Sequence, residues 1–456
     1  MRAITLEGAT GPEVEAILQR LAAEDALGQL LRREGRMAHL AAEAGDVKLD
    51  WVDGVERALQ TPEALRAAEA EGADIVGRGL RHVIWSGMGG SVQTVHTLKR
   101  MGYLDHPALA VHPLDSTDPA ALNRVLRAIG APGGARLEER LAHTLMIGVS
   151  MGMTSEEPIT HLTWFDELLQ ERRIPDPGSH IEVMTLPGSY LDEFARPRGS
   201  RMVPIQLDGE NHTPGRMSAP ATRVFLRPVA LMLAAAGVTG GLQTILQRGQ
   251  ALYGLSHTLA DEARRQLTLQ DPFLRLAAWL SLRADRAAGG AGATAGEAGP
   301  AAAGAPKLLV TISPGWEGFL PWLEQLVEES LGKDGKGFLV FYGQSAAAYG
   351  EDCAALRIAV EGYDAPPTLV PPHGARPWPS LTLHVPAPPQ PLSRLPSELA
   401  GLGELTGLFL GMKKTVAAYG YLQDIVFAGQ PAVEAYKRYA RELREAPAPR
   451  EGQGAP

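Results

Sequence analysis

Residues 82–91 read His82-Val83-Ile84-Trp85-Ser86-Gly87-Met88-Gly89-Gly90-Ser91. An apolar strand at 82–86 comes first, a glycine-rich turn follows, and helical spacing of apolar residues runs from Val92 to Met101. Glycines let the backbone turn sharply and approach a ligand, while backbone amides and the helix dipole favour an anion. The order strand, turn, helix therefore predicts the first unit of a parallel α/β sheet, with an anion-binding turn at 87–91.

The same alternation lies on both sides of a long helical stretch at 223–286. Before that stretch it predicts strands at Leu109–Pro113, Thr144–Val149, Ile181–Leu186 and Met202–Leu207. After that stretch it predicts strands at Leu308–Ser313, Phe338–Tyr342, Leu356–Val360 and Leu381–Val385. Because strands joined by helical crossovers pair in parallel and are covered on both faces, we expect an α/β protein with two doubly wound, mainly parallel sheets flanked by helices.

Changes of composition along the chain predict its domain organisation. Residues 287–306 are almost entirely Ala, Gly and Pro, so they bury too little apolar surface to offset the entropy of ordering and are expected to form a linker. The prediction is a helical N-terminal segment at 1–80, a first α/β domain at 81–240, a helical connection with the linker at 241–306, a second α/β domain at 307–445 and a disordered tail at 446–456.

Charge and cysteine content exclude several classes of protein. The formal net charge is −9 and no block of Lys and Arg is present, which argues against a nucleic-acid or anionic-membrane partner. Cys353 is the single cysteine, so no intrachain disulfide is possible, as fits a reducing compartment. No secretory signal is visible, and the longest apolar run, Val229–Gly237, is far shorter than the ~20 residues that span a bilayer. We expect a soluble, cytoplasmic protein with no membrane or nucleic-acid partner.

A second turn has the same architecture as the first. The strand that ends at Val149 is followed by Ser150-Met151-Gly152-Met153-Thr154-Ser155-Glu156-Glu157-Pro158 and then by a helix. Ligands of parallel sheets bind beyond the carboxyl ends of the strands, where both turns are expected to lie. The hydroxyl groups of Ser150, Thr154 and Ser155 are therefore candidates, with Ser91, for binding one anion.

Six short motifs occur in the order found in glucose-6-phosphate isomerases. Each is imperfect, but the ordered set covers roughly residues 80–445 and resembles that family, with Leu323–Gly337 most similar to the isomerase part of transaldolase–isomerase fusion proteins. The motifs are the turn Gly87–Ser91, the Asp-rich segment Asp115–Pro119, the phosphate loop Ser150–Pro158, Gly215-Arg216-Met217-Ser218, Gln325–Lys333 and Gln430–Lys437.

The resemblance implies reversible isomerisation of glucose 6-phosphate and fructose 6-phosphate on two sugar-isomerase-type domains, without metal or organic cofactor. Glu329 matches the base that moves a proton between C2 and C1, Arg216 the cation beside the enediolate, and Lys437 the group that assists ring opening. The family's active site is completed by a second subunit, so a homodimer is expected. The implied residues for binding the sugar phosphate are Gly89, Gly90, Ser91, Ser150, Thr154, Ser155, Gly215 and Gln325.

A helical wheel separates Glu329 from the other carboxylates of its helix. Glu329 shares a face with Gln325 at the border of the apolar stripe, whereas Glu324 and Glu328 are expected to face solvent. Lys437 lies on the same helical face as apolar residues, where a lysine can also simply extend its ammonium to water.

The sequence departs from the family at several positions. Met151 replaces the lysine of the phosphate loop and Gly152 the hydroxyl residue after it, so phosphate binding is expected to be weaker, and a lysine at 151 is expected to tighten it. Leu331 replaces an asparagine. The family's ring-opening histidine has no match, because His373 and His384 lie in different contexts.

These departures leave three interpretations open. The first is a glucose-6-phosphate isomerase with a divergent phosphate loop. The second is an isomerase of a related sugar phosphate such as mannose 6-phosphate. The third is a catalytically weak sugar-phosphate-binding or regulatory protein on the same scaffold. Retention of Glu329, Arg216 and Lys437 argues against the third, while Met151 and the missing histidine argue for it.

Overall fold

The computed structural model of the chain describes residues 3–130, 136–151, 155–290, 306–333, 335–343, 349, 353–371, 377–388, 395–429 and 439. Over these ranges no helix is both long enough and apolar enough to span a bilayer. The α-helices are α1 (Pro12–Ala23), α2 (Ala26–Arg32), α3 (Gly35–Leu40), α4 (Gly54–Gln60), α5 (Pro62–Gly77), α6 (Gly90–Arg100), α7 (Pro119–Gly130), α8 (Leu137–Leu141), α9 (Glu156–Glu171), α10 (Tyr190–Ala195), α11 (Arg223–Ala235), α12 (Gly241–Tyr253), α13 (Asp261–Gln270), α14 (Pro272–Gly290), α15 (Leu320–Leu331) and α16 (Leu402–Gln423). The strands are β1 (Thr5–Glu7), β2 (Ala42–Glu43), β3 (Asp46–Val47), β4 (His82–Ser86), β5 (Asp105–His106), β6 (Leu109–Leu114), β7 (Thr144–Val149), β8 (Ile181–Met184), β9 (Arg201–Val203), β10 (Lys307–Ile312), β11 (Leu339–Phe341), β12 (Cys353–Val360) and β13 (Ser380–Val385).

The first sheet has the strand order β5-β6-β4-β7-β8-β9. All neighbours pair in parallel except β5 and β6, which form an antiparallel edge. The predicted strand at 82–86 is β4, and it lies between β6 and β7, with Ser86 opposite Leu114 and Gly148. Both glycine-containing turns therefore leave neighbouring strands at the same edge of the sheet, as the sequence predicts.

Alternate residues of the central strand face two different cores. Val83 and Trp85 pack into the larger hydrophobic cluster, whereas Ile84 packs into a second cluster with Leu162 and Phe165 of α9. Since the two faces of a strand point in opposite directions, the sheet is covered on both sides. This arrangement confirms the predicted doubly wound α/β class.

The second sheet has the order β1-β13-β12-β10-β11. Strands β10 to β13 pair in parallel, and β1 joins the edge antiparallel to β13, with Thr5 opposite His384. The sequence analysis predicts the four parallel strands but not β1. That strand is only three residues long and none of them is fully buried, so its sequence carries little signal and its pairing partner stabilises it.

Helices from different parts of the chain pack around α16, which is buried along nearly its whole length. Its neighbours include α12 and α14, while α5 packs against α11. Helix α14 continues to Gly290, four residues into the expected linker. The linker from 291 to 305, the end of the expected second domain at 430–445 apart from Tyr439, and the tail at 446–456 lie outside the described residues. The domain boundaries therefore stay a prediction.

Candidate active site

A cavity of about 560 Å³ lies where the turn at 87–91 and the start of α6 face α15. One wall of the cavity belongs to the first sheet and is formed by the turn, by α6 and by the loop after β6. The opposite wall is formed by α15. The lining residues are Met88, Gly89, Val92, Gln93, Asp115, Pro321, Glu324, Gln325, Glu328 and Glu329. Three of the residues expected to bind or act on a sugar phosphate thus line one cavity: Gly89, Gln325 and Glu329.

The turn is closed by the hydroxyl group of Ser91. Its Oγ donates to the carbonyl oxygen of Met88 at 2.9 Å and accepts from the N–H of Met88 at 3.0 Å. Ser91 is 4% exposed, and its own carbonyl accepts from the indole N–H of Trp85. Gly89 supplies a positive φ of 58° that favours glycine. The turn is therefore rigid, and the Ser91 hydroxyl holds its shape instead of facing the cavity.

Gly90 brings a second predicted element against the turn. A Cβ atom at Gly90 would lie 2.0 Å from the carbonyl carbon of Gly215 and 2.3 Å from the backbone nitrogen of Arg216. Gly215–Met217 forms a single 3₁₀ turn. Since only glycine permits this approach, the residue at 90 sets the distance between the turn and the Arg216 backbone.

Arg216 is fully buried and its guanidinium is held on three sides. Its Nε donates to Ser330 Oγ at 2.6 Å, and its Nη1 lies 3.4 Å from Glu329 Oε1. Its Nη2 donates to the carbonyl oxygens of Phe427 and Ala428. Burial lowers the pKa of Arg216 from its ordinary value, and the Glu329 carboxylate opposes that shift. The guanidinium is thus a fixed group beside Glu329.

Glu329 is the part of this pair that reaches the cavity. Its side chain is 22% exposed, and its Oε2 accepts from Gln325 Nε2 at 2.9 Å. One carboxylate oxygen is therefore oriented by Gln325 and the other by Arg216. The sequence places Gln325 and Glu329 four residues apart on a helix, so this contact follows from helical geometry.

Glu324 and Glu328 are not solvent-facing, and that expectation was wrong. Both are half-buried and line the cavity. Glu324 Oε2 accepts from the hydroxyl of Tyr342 at 2.8 Å, and Glu328 Oε1 accepts from the N–H of Val340 at 2.8 Å. Burial raises the pKa of Glu328, and the nearby Glu324 adds to the rise. The helical wheel misses this because it considers α15 alone, whereas the chain that follows the helix folds back and packs β11 against it.

The second turn lies next to the first but is described only in part. Ser91 Oγ is 3.5 Å from the carbonyl oxygen of Val149, and Ser150 is 2% exposed with its Oγ accepting from Tyr190 at 3.3 Å. Ser155 occupies the N-cap position of α9. Met151 is 7% exposed and its side chain packs into the larger hydrophobic cluster.

Some predicted site residues lie outside the described residues, namely Thr154, Lys437 and the unassigned His373. His384 is exposed on β13, and its Nε2 lies 3.2 Å from Glu7 Oε2, away from the cavity walls. Within the described ranges, no group of three or more His, Cys, Asp or Glu side chains could hold a metal ion.

Two groups near the cavity, Ser330 and Asp115, belong to motifs that the sequence analysis names, but it assigns neither of them a role. Ser330 Oγ accepts a hydrogen bond from Arg216 and directly follows Glu329 in the chain. Its place in the same motif as Glu329 could therefore have indicated that it belongs to the site. Asp115 lines the cavity and lies 3.0 Å from His96 Nε2, and this hydrogen bond lowers the pKa of the Asp115 carboxyl. Nothing in the sequence pairs these two residues, because they meet only when β6 lies beside α6.

Comparison with known proteins gives partial matches in sequence. A glucose-6-phosphate isomerase from Synechococcus sp. (strain JA-2-3B'a(2-13)) is 28% identical over 204 residues, which are 42% of this chain and 36% of that protein. A glucose-6-phosphate isomerase from Rippkaea orientalis (strain PCC 8801 / RF-1) is 29% identical over 113 residues, which are 25% of this chain and 20% of that protein. The matched region thus spans about a third or less of these curated relatives. No family model matches the chain.

The comparison of structures covers nearly the whole chain. A hypothetical protein from Thermus thermophilus is similar with a TM-score of 0.66 and 19% identity, covering 97% of this chain and 100% of that one. A glucose-6-phosphate isomerase from Chlamydia trachomatis is similar with a TM-score of 0.64 and 16% identity, covering 95% of this chain and 87% of that one. At such identities the likeness shows a shared fold. Together, the sequence matches and this fold confirm the resemblance of the chain to the glucose-6-phosphate isomerase family.

Proposed function

We propose that this chain is a sugar-phosphate isomerase that interconverts glucose 6-phosphate and fructose 6-phosphate through an enediolate. The observation that carries the proposal is the buried Arg216 beside the cavity-lining Glu329, with Nη1 3.4 Å from Oε1. Partial sequence matches to glucose-6-phosphate isomerases support the choice of substrate class.

Glu329 is the base in this proposal. Its carboxylate takes the proton from C2 of the open-chain sugar and returns it to C1. Gln325 and Arg216 each orient one carboxylate oxygen, so the base reaches the substrate already positioned. A base held in place avoids part of the entropic cost of the proton transfer.

Arg216 acts as a fixed positive charge behind the base. As the proton moves to Glu329, negative charge develops on the enediolate oxygen, and a buried cation stabilises that charge more strongly than a solvated one. Four of the five N–H groups of the guanidinium have partners, and one N–H of Nη1 has none in the described part of the chain. Because Arg216 is fully buried and does not line the cavity, it acts on the intermediate in this proposal through its charge, from behind Glu329.

The phosphate of the substrate is assigned to the edge of the sheet where the two turns meet. The N-termini of α6 and α9 both begin there, with Gly90, Ser150, Ser155 and Thr154 as its proposed contacts. Lys437 is proposed to assist ring opening. This role rests on its match to the family's motif, since Lys437 lies outside the described residues.

One observation favours a second candidate, a sugar-phosphate-binding protein with little catalytic activity. The hydroxyls of Ser91 and Ser150 already have protein partners, and Met151 packs into the core. These features leave fewer donors for a phosphate than a loop with a lysine and free hydroxyls. An isomerase of mannose 6-phosphate remains within the first proposal, because a Glu–Arg pair does not itself select the configuration at C2.

The test is an isomerase assay in both directions with a chelator present, on the wild type, Glu329→Gln and Glu324→Gln. Removing a general base costs about 10²–10⁴-fold, so kcat of Glu329→Gln should fall by that factor. Glu324→Gln is a matched control, because it makes the same change on the same helix and cavity wall and keeps an acceptor for Tyr342. Equal kcat in wild type and Glu329→Gln would remove Glu329 as the base. Absence of wild-type turnover together with saturable binding of fructose 6-phosphate would select the binding protein.

The assembly and location are also proposals. We propose a homodimer, to be measured by sedimentation at micromolar concentration, and residence in the cytoplasm, to be measured by fractionation of the source cells. A monomer with full isomerase activity would contradict the dimer as a requirement for catalysis.

A further inference from the structure

Lys413 on α16 is a fully buried lysine with no carboxylate partner in the described ranges. Its Nζ donates to the carbonyl oxygens of Met217 at 3.1 Å and Ala219 at 2.6 Å. The same Nζ lies 5.0 Å from the centre of the Trp51 ring. Burial holds the pKa of the Lys413 ammonium well below its ordinary value. An amine in such a place is costly unless its hydrogen bonds are satisfied, so the two carbonyls explain how it is tolerated.

Both carbonyls belong to the backbone that directly follows Arg216. The carbonyls of Met217 and Ala219 lie on either side of Ser218, so one ammonium group holds that backbone at two points. The start of the same segment, Gly215–Arg216, is packed against Gly90, where no side chain would fit. The Arg216 backbone is thus fixed between the turn at 87–91 and α16.

The guanidinium of Arg216 is held by the chain that leaves the same helix. Phe427 and Ala428, whose carbonyls accept from Nη2, follow shortly after the end of α16 at Gln423. Helix α16 and the chain that follows it therefore hold Arg216 in two places. Lys413 binds the backbone that follows Arg216, and the carbonyls of Phe427 and Ala428 bind its guanidinium.

We propose that Lys413 is a positioning residue for Arg216, keeping the guanidinium at the distance from Glu329 that proton transfer requires. The kinetic consequence rests on the proposed isomerase function, whereas the structural tie between Lys413 and residues 215–219 does not. Lys413 is not among the lining residues of the cavity, so it acts through Arg216 and not on the substrate.

The next residue in the chain provides a matched control. Lys414 is equally buried, but its Nζ pairs with Asp271 and donates to the carbonyl of Tyr253 at 3.0 Å. None of its described contacts lies in residues 215–219. Replacing either lysine by methionine removes only the terminal amine and keeps the length of the apolar stem.

The experiment compares Lys413→Met and Lys414→Met by amide hydrogen exchange and by steady-state kinetics. In Lys413→Met, hydrogen exchange of the backbone amides of Met217, Ser218 and Thr222 should speed up at least about tenfold. This factor is expected because the segment loses one or more hydrogen bonds to a charged group. Because a 1 Å displacement of a catalytic group can cost about 10²-fold, kcat should fall about 10–100-fold with KM changed less than about threefold. In Lys414→Met, kcat per folded molecule and exchange at residues 215–222 should match the wild type, although its thermal midpoint falls.

Two results would overturn the proposal. One is wild-type exchange at residues 215–222 in Lys413→Met, and the other is an equal loss of kcat in both variants, which would indicate a general structural role. If the wild type shows no turnover, the isomerase proposal fails, while the exchange measurement still decides whether Lys413 holds the segment. If Lys413→Met does not fold, native-state exchange of the wild type in mild denaturant replaces it. Amides at 217–222 should then open together with those of α16, and opening at much lower denaturant would contradict the tie.

Discussion

Replacing Gly90 by alanine is expected to separate the turn at 87–91 from the Arg216 backbone. The added Cβ would lie 2.0 Å from the carbonyl carbon of Gly215 and 2.1 Å from its oxygen, whereas ordinary van der Waals contact begins at 3.4 Å. One of the two backbones must therefore retreat by about 1.4 Å, because neither side of the contact is a flexible side chain. Overpacking of this kind costs about 1–3 kcal/mol, and a rigid backbone contact belongs at the upper end.

The displacement should affect function more than stability. Arg216 moves with its backbone, and a shift of about 1 Å at a catalytic group can lower the rate about 10²-fold. The assay is isomerase turnover beside thermal unfolding, for Gly90→Ala and for Gly77→Ala as control. Gly77 ends α5, its φ is not positive, and nothing lies within 4 Å of an added Cβ, so alanine there should be neutral or slightly stabilising. Wild-type stability and turnover in Gly90→Ala would refute the argument that this contact sets the position of Arg216.

The remaining predictions concern Met151 and His112. Met151→Lys should lower the thermal midpoint of unfolding, because an unpaired buried charge costs on the order of 3–5 kcal/mol. The same change should not tighten the binding of inorganic phosphate. Tighter binding at an unchanged midpoint would show that the side chain at 151 faces the ligand. Burial, with Lys99 and His82 nearby, lowers the pKa of His112 to about 4, against about 6.5 in the unfolded chain. As the pH falls, His112 is therefore protonated in the unfolded chain before it is protonated in the folded protein. Its contribution to the free energy of unfolding, about 3 kcal/mol at most, is complete above about pH 6.5 and is lost as the pH falls toward 4. Unfolding midpoints between about pH 4 and 7 should fall less steeply for His112→Gln than for the wild type, and parallel curves would contradict the assignment.

The strands of both parallel sheets were predictable because buried parallel strands are short, continuous apolar runs. Residues 144–149, for example, are buried at every position, and the predicted bounds match β7. Strand β1 has no such signal, since Thr5–Glu7 is partly exposed and forms only against β13. Strands that depend on a distant partner are therefore the ones that sequence periodicity misses.

The candidate site shows the same division. Helical spacing places Gln325 beside Glu329, and their hydrogen bond agrees with it. Burial of Arg216 and the role of Lys413 depend on carbonyls far away in the sequence, and no local pattern encodes such contacts. The orientation of Glu324 was predicted wrongly because its partner, Tyr342, lies outside the helix, just after β11, and a helical wheel considers the helix alone.

The pairing of β1 with β13 has a consequence for how the protein is made. Glu7 leaves the ribosome well before His384, which lies 3.2 Å from it in the finished sheet but is synthesised 377 residues later. At roughly 5–20 residues per second, the N-terminal strand waits about 20–75 s for its partner. Throughout that interval the edge of the second sheet does not exist, so residues 5–7 remain available to chaperones or to other nascent chains. Translation speed over residues 8–384 therefore sets how long residues 5–7 lack their partner strand during synthesis.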